Sequence, residues 1–190
     1  LTAFNPFIPH DAFNSSIPAA FFEIEIENIT DEEIKYQTAF SLSNPYKESI
    51  NISSQKDGIR FLTTENATAK RDDVNYGSLT VATDCPVSFC QTYWYRGIWQ
   101  DDVIMYWKEL SESTFWKERK YDTSGEYDTG TLVAEVDIPP KHTKKVRFVL
   151  SWNCPNNYNY WNELKNDDGT HKSWKNYYAT VFSDSMHSAE

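Results

Sequence analysis

Apolar and polar residues alternate in short runs along most of this chain. No other feature limits its fold as much. In FFEIEIEN, Phe22, Ile24 and Ile26 alternate with Glu23, Glu25 and Glu27. Successive side chains of an extended strand point to opposite faces, so such a run builds a strand with one apolar and one wet side. KYQTAFSLSN repeats the pattern with Tyr36, Thr38, Phe40 and Leu42, and the polar ITDEEI between the runs predicts a turn and an antiparallel pair. Further runs are DGIRFLTT (Ile59, Phe61), SLTVATD (Leu79, Val81), PVSFCQTY (Val87, Phe89, Tyr93), TLVAEVDIP (Leu132, Ala134, Val136, Ile138) and KVRFVLSWN (Val146, Phe148, Leu150, Trp152). NYYATVFSD closes the series. About eight short strands with polar connections predict an all-β fold, a two-sheet antiparallel β-sandwich.

One segment breaks the pattern. In WQDDVIMYWKELSES, Val103, Tyr106, Trp107 and Leu110 fall at helical spacing. Asp101 and Asp102 stand early, where the helix dipole favours negative charge. A short helix is expected in this inserted segment, over an edge or end of the sandwich. The opening FNPFIPHDAFNSSIPAA holds three prolines and no period, and predicts an extended, partly buried lead-in. No repeat or linker divides the chain, so residues 1–190 are read as one domain. Leu1 in place of an initiator Met is expected of a piece cut from a longer polypeptide.

Charge excludes several partners. With 18 basic and 28 acidic residues the net charge is -10, which opposes nucleic-acid phosphates and anionic lipid. HTKKVR, the densest basic stretch, leads into a strand. No apolar run is long enough for a transmembrane segment, and no leader opens the chain, so a cytoplasmic location is expected. Cys85, Cys90 and Cys154 form no metal-binding pair and are expected as buried, reduced thiols. His10, His142, His171 and His187 are scattered, and neither a metal nor a cofactor is expected. Sequons at Asn14, Asn28, Asn51 and Asn66 carry meaning only in a secreted eukaryotic chain.

No nucleotide, metalloprotease or serine-hydrolase motif occurs. Two features remain. Alternate glutamates in a strand stand about 6.6 Å apart, within the roughly 5–9.5 Å over which paired carboxylates cleave glycosidic bonds. The plainer reading of Glu23, Glu25 and Glu27 is the solvent face of an amphipathic strand. The second feature is aromatic density, with 7 Trp, 12 Tyr and 11 Phe concentrated in TYWYRGIWQDD and SWNCPNNYNYWNELKNDDGTHKSWKNYYAT. Sugars stack on aromatic rings, so these segments suit a carbohydrate surface. The alternative places Trp94, Trp99 and Trp152 in the core or against a second domain. In NNYNYW polar Asn interrupts the rings, which argues against burial there. Trp152, Asn153, Tyr158, Tyr160 and Trp161 are the candidates for a carbohydrate or domain-interface contact.

FNPFIPHDAFNSSIPAAFFEIEIENITDE, YGSLTVAT, WYRGIWQDDVIMYWKEL, VRFVLSWNCPN and YYATVFSDS together resemble the N-terminal domain of glycoside hydrolase family 116. That family includes non-lysosomal glucosylceramidases and β-glucosidases. The resemblance spans the whole chain. It implies a non-catalytic β-sandwich that packs on a C-terminal (α/α)6 barrel of the same polypeptide. The barrel carries both catalytic carboxylates of a retaining β-glucosidase. No catalytic residue is then expected in this chain, and glycoside substrate is a further partner to consider. WNCPN departs from the Trp-x-Phe-Pro expected at that point, with Cys154 in the aromatic position. A carbohydrate-binding module using exposed Trp and Tyr loops is the alternative.

Overall fold

The computed structural model describes residues 1–112 and 118–190. The chain runs through β1 (Thr2–Phe4), α1 (Ala12–Ser15), β2 (Ala19–Glu27), β3 (Ile34–Ser43), β4 (Ser49–Lys56), β5 (Ile59–Asn66), β6 (Ser78–Thr83) and β7 (Val87–Gln91). It continues with α2 (Asp101–Ser111), β8 (Thr129–Ile138), β9 (Thr143–Asn153), β10 (Asn156–Tyr158), β11 (Ser173–Lys175), a 3-10 turn (Tyr177–Thr180) and α3 (Ser185–Ala189). A six-stranded sheet, in the order β1-β2-β9-β6-β5-β4, faces a three-stranded sheet ordered β3-β8-β7. Every pairing is antiparallel, and β10 and β11 form a separate hairpin arm.

The core lies between the two sheets. Leu62, Val81, Val146 and Phe148 of the larger sheet meet Leu42, Leu132 and Ala134 of the smaller, with Cys85 beside them. Phe22, Ile24 and Ile26 pack against this cluster as the alternation predicts. Phe40 bridges the sheets, its ring centroid 5.3 Å from Phe22 and 5.6 Å from Phe148.

Several expectations are corrected. β2 and β3 do not pair. The ladder of β2 is taken by β9, from Ala19↔Ser151 to Glu27↔Thr143, while β3 pairs with β8 in the other sheet. The polar residues between them are therefore a crossing from sheet to sheet. Asn28 fixes this crossing. It is 1% exposed, and its Nδ2 donates to the carbonyls of Ile138 and Glu32 at 2.8 Å and of Pro139 at 3.1 Å. Period-2 alternation marks a strand's faces and leaves its neighbour open.

On β5 the residue in the main core is Leu62, while Ile59 and Phe61 face outward. They are covered because α3 folds back over the larger sheet, where Phe61, Ala82, Val149, Met186 and Ala189 form a second apolar cluster. NYYATVFSD is accordingly no strand. It holds the 3-10 turn and leads into α3, whose Ser185 hydroxyl bonds Thr80 Oγ1 at 2.8 Å and Ser78 Oγ at 2.9 Å. The lead-in contains β1 and α1, and Phe4, Phe7 and Phe13 are exposed rather than buried.

Helix α2 exists as expected, and Ser113 at the end of the predicted segment lies outside the described residues. Its buried residue is Glu109, whereas Val103 and Trp107 are exposed. Glu109 accepts from Gln91 Nε2 at 2.7 Å and pairs with Arg119, so a polar clasp holds the helix to β7. Of the cysteines, all free, Cys85 is buried, Cys90 intermediate and Cys154 exposed. Four strands escaped the alternation: β4 and the short β1, β10 and β11. The turn Asp57-Gly58 joins β4 to β5 with φ of 51° and 83°, the left-handed pair an Asp-Gly hairpin turn requires.

Candidate functional site

The two ends of the sandwich differ. At one end the connections are short: residues 28–33, 57–58, 84–86 and 139–142. At the other, where Ser43 faces Thr129 and Ser78 faces Asn153, lie segments 5–18, 44–48, 67–77, 92–112, 118–128 and 154–172. Loops positioned by a rigid sheet scaffold are where binding residues concentrate. Both aromatic-rich stretches of the sequence emerge at this end.

The first stretch follows β7. The Trp94 N–H donates to Thr129 O at 2.8 Å, and its indole Nε1 donates to Thr131 Oγ1 at 2.7 Å. The Tyr106 ring stacks on the Trp94 ring, 4.2 Å between centroids. Arg96 donates from Nε and Nη2 to the two oxygens of Asp128 at 2.9 and 2.8 Å. Its guanidinium lies 3.9 Å from the Tyr121 ring centroid, and the Asp128 hydrogen bonds raise its pKa further. Ser49 Oγ adds a third donor to Asp128, at 2.8 Å.

On this clamp the chain adopts unusual backbone. Trp99 and Gln100 have φ of 55° and 67°, and Tyr127, beside Asp128, has φ of 54°. Side chains in the left-handed region carry about 1–3 kcal/mol of strain each, and such residues persist where the surroundings over-determine them. Trp99 is 92% exposed, with Ile98, Ile104 and Trp107 also exposed nearby in sequence. Trp99 is thus no core residue, contrary to one of the two readings of its sequence, whereas Trp94 is half-buried as a support. Tyr95 and Tyr127 flank a cleft of about 230 Å³.

The second stretch is the β10–β11 arm. Asn157 faces Trp174, and Asn159 Oδ1 accepts from the N–H groups of Trp161 and Asn162 at 3.1 and 3.2 Å, turning Trp161 outward. The arm is tied down at its base. Asn176 Nδ2 and the Tyr178 hydroxyl donate to Cys154 O at 2.7 and 2.9 Å, and Asn156 Nδ2 donates to Arg71 O and Asp73 O. Burial pushes the Tyr178 hydroxyl above its usual pKa, so it remains a neutral donor.

The five residues singled out from the sequence divide. Trp152 is half-buried in β9 opposite Leu79, and Asn153 is 1% exposed with Nδ2 donating to Phe182 O, so both belong to the scaffold. Tyr158 is half-buried and its ring meets His171 at 5.0 Å. Tyr160 and Trp161 stand in solvent, 64% and 83% exposed, their rings 4.8 Å apart. Sequence reasoning missed Tyr127, for which no local pattern exists. For Trp99 the sequence left surface and core both open, and the structure decides for the surface.

Two members of the acidic row, Glu23 and Glu25, are paired across the sheet. Lys145 Nζ donates to Glu23 Oε1 at 2.7 Å and lies 3.5 Å from Glu25, and Arg147 Nε donates to Glu23 Oε2 at 3.2 Å. Lys145 and then Arg147 hold the Glu23 carboxyl below its usual range. That is the opposite of what a general acid needs. Among the described residues no cluster of His, Cys, Asp and Glu could hold a metal, and no helix is long and apolar enough to cross a membrane.

No curated protein matches the chain. A family model described as beta-glucosidase 2, glycosyl-hydrolase family 116 N-term, matches residues 1–190. A β-rich sandwich matched from end to end in this way belongs to glycoside hydrolase family 116, as its N-terminal domain.

Proposed function

We propose that this domain is the non-catalytic partner of a separate (α/α)6 catalytic barrel in the same β-glucosidase polypeptide. It packs on the barrel with the loop-bearing end of the sandwich. The observation that carries this reading is that the two aromatic-rich segments leaving this end expose Ile98, Trp99, Trp107, Tyr160, Trp161 and Trp174, all at least 49%. Exposed apolar surface of that extent marks an interaction face. Fully exposed tryptophans on firm supports are the side chains that anchor protein interfaces. The ion pairs of Glu23 and Glu25 support a division of labour in which the chemistry lies elsewhere. We place the protein in the cytoplasm, a location favoured by three free thiols, one of them exposed.

The test mixes residues 1–190 with a separately produced catalytic region of a family 116 enzyme. Saturable association is expected, with no turnover of an aryl β-glucoside by residues 1–190 alone. Turnover by this chain that disappears in Glu23→Gln would overturn the reading.

A further inference from the structure

The cleft between Tyr95 and Tyr127 is made by parts of the chain far apart in sequence. Tyr95 and Arg96 come from the connection after β7, Asp102 from the first turn of α2, and Glu126, Tyr127 and Thr129 from the approach to β8. Its volume of about 230 Å³ lies below the roughly 300–1,000 Å³ of pockets for drug-sized ligands, so its occupant is a single small ring. Tyr95 and Tyr127 are 44% and 57% exposed and offer two aromatic surfaces.

The polar groups divide into fixed and available ones. Arg96 and Asp128 neutralise each other, and Arg96 Nη2 also donates to Thr123 O at 3.0 Å, so the floor carries no free charge for an anion. Asp102 engages Oδ1 with the Val103 N–H at 2.8 Å, and its other oxygen accepts no hydrogen bond among the described residues. Glu126, with a 68% exposed side chain, has a 3.6 Å ion pair to Lys47 and can accept further hydrogen bonds. Aromatic faces beside outward carboxylate acceptors form the pattern that recognises a ring bearing hydroxyl groups.

The walls are already in position. The Tyr127 N–H donates to Tyr46 O at 3.2 Å, the Asp128 N–H donates to Ser49 Oγ at 3.2 Å, and the Arg96 N–H donates to the Tyr121 hydroxyl at 3.1 Å. A preformed cleft avoids the ordering penalty that weakens binding to mobile loops.

We propose that this cleft binds one neutral pyranose ring of a glycoside, independently of the β10–β11 arm. The choice of a sugar rests on membership of a glycosidase family. It does not rest on docking to a barrel, so either idea can fail without the other.

The test titrates the 190-residue chain with methyl β-glucopyranoside and with cellobiose while recording amide NMR spectra. Saturable shifts confined to residues 94–97 and 126–129 are expected at millimolar concentration. Tyr127→Asn removes the ring while tolerating the left-handed backbone, and it should weaken binding about tenfold. Tyr95→Ala should do the same without touching the strained position, and Trp161→Ala should leave the affinity unchanged. Absence of saturable shifts at these residues, loss of binding in Trp161→Ala, or saturation by tetramethylammonium but by neither sugar would overturn the proposal.

Discussion

Arg96 grips Asp128 with two parallel hydrogen bonds, 2.9 Å from Nε to Oδ1 and 2.8 Å from Nη2 to Oδ2, and so joins the loop after β7 to the start of β8. Asp128 is 7% exposed and also accepts from Ser49, which ties in the start of β4. Removing the carboxylate takes two hydrogen bonds from the guanidinium and the shorter one from the buried Ser49 hydroxyl. Asp128→Ala should lower stability by about 3 kcal/mol, as for other broken buried pairs, measured by urea denaturation. A loss near that of an exposed pair, under about 1 kcal/mol, would show that the loop end is held by its rings alone.

Glu23 makes the acid limb of stability testable. Its folded pKa lies below the ordinary 4.5, chiefly through Lys145 and then Arg147. Its contribution is therefore fully present above about pH 4.5 and is lost as pH falls through the depressed folded value. Glu23→Gln should shrink the drop in stability between neutral pH and that acid range, leaving the core signal intact. Equal pH dependence in both proteins would remove Glu23 from the account.

Asn28 tests the crossing between sheets. Its amide meets three carbonyls, and its Oδ1 accepts from the Thr30 N–H and hydroxyl at 2.9 and 2.7 Å. Asn28→Ala should cost about 2–3 kcal/mol, because several buried partners lose their bonds together. Expressed in a glycosylating host, the folded chain should carry no glycan at Asn28 or at Asn51, which is 4% exposed. Mass spectrometry of the intact protein checks this.

Trp99 tests the interaction face. At 92% exposure it contributes little to the domain's own stability, so Trp99→Ala should shift the urea midpoint negligibly. The same change should weaken association with the catalytic region by about 2 kcal/mol or more, the scale of an interface anchor. Isothermal titration calorimetry would reveal the opposite result, lost stability with unchanged affinity, and that would return Trp99 to the scaffold.

The alternation of Phe22, Ile24 and Ile26 with Glu23, Glu25 and Glu27 determined by itself that β2 is a strand, and which side of it meets the core. The same pattern located β3, β5, β6, β7, β8 and β9, and helical spacing located α2. Both signals are local because side-chain direction follows from the backbone period alone. Tertiary structure decided the rest. A backbone ladder bonds equally well to any strand, so β2 could join β9 while β3 crossed to the other sheet. Whether an apolar residue is inside depends on what lies above it, which is why α3 buries Phe61 while Trp99 stands 92% exposed. Tyr95 and Tyr127 flank one cleft because Arg96 and Asp128 meet. Charge and hydrogen-bond geometry make that contact in three dimensions, and no spacing along the chain records it.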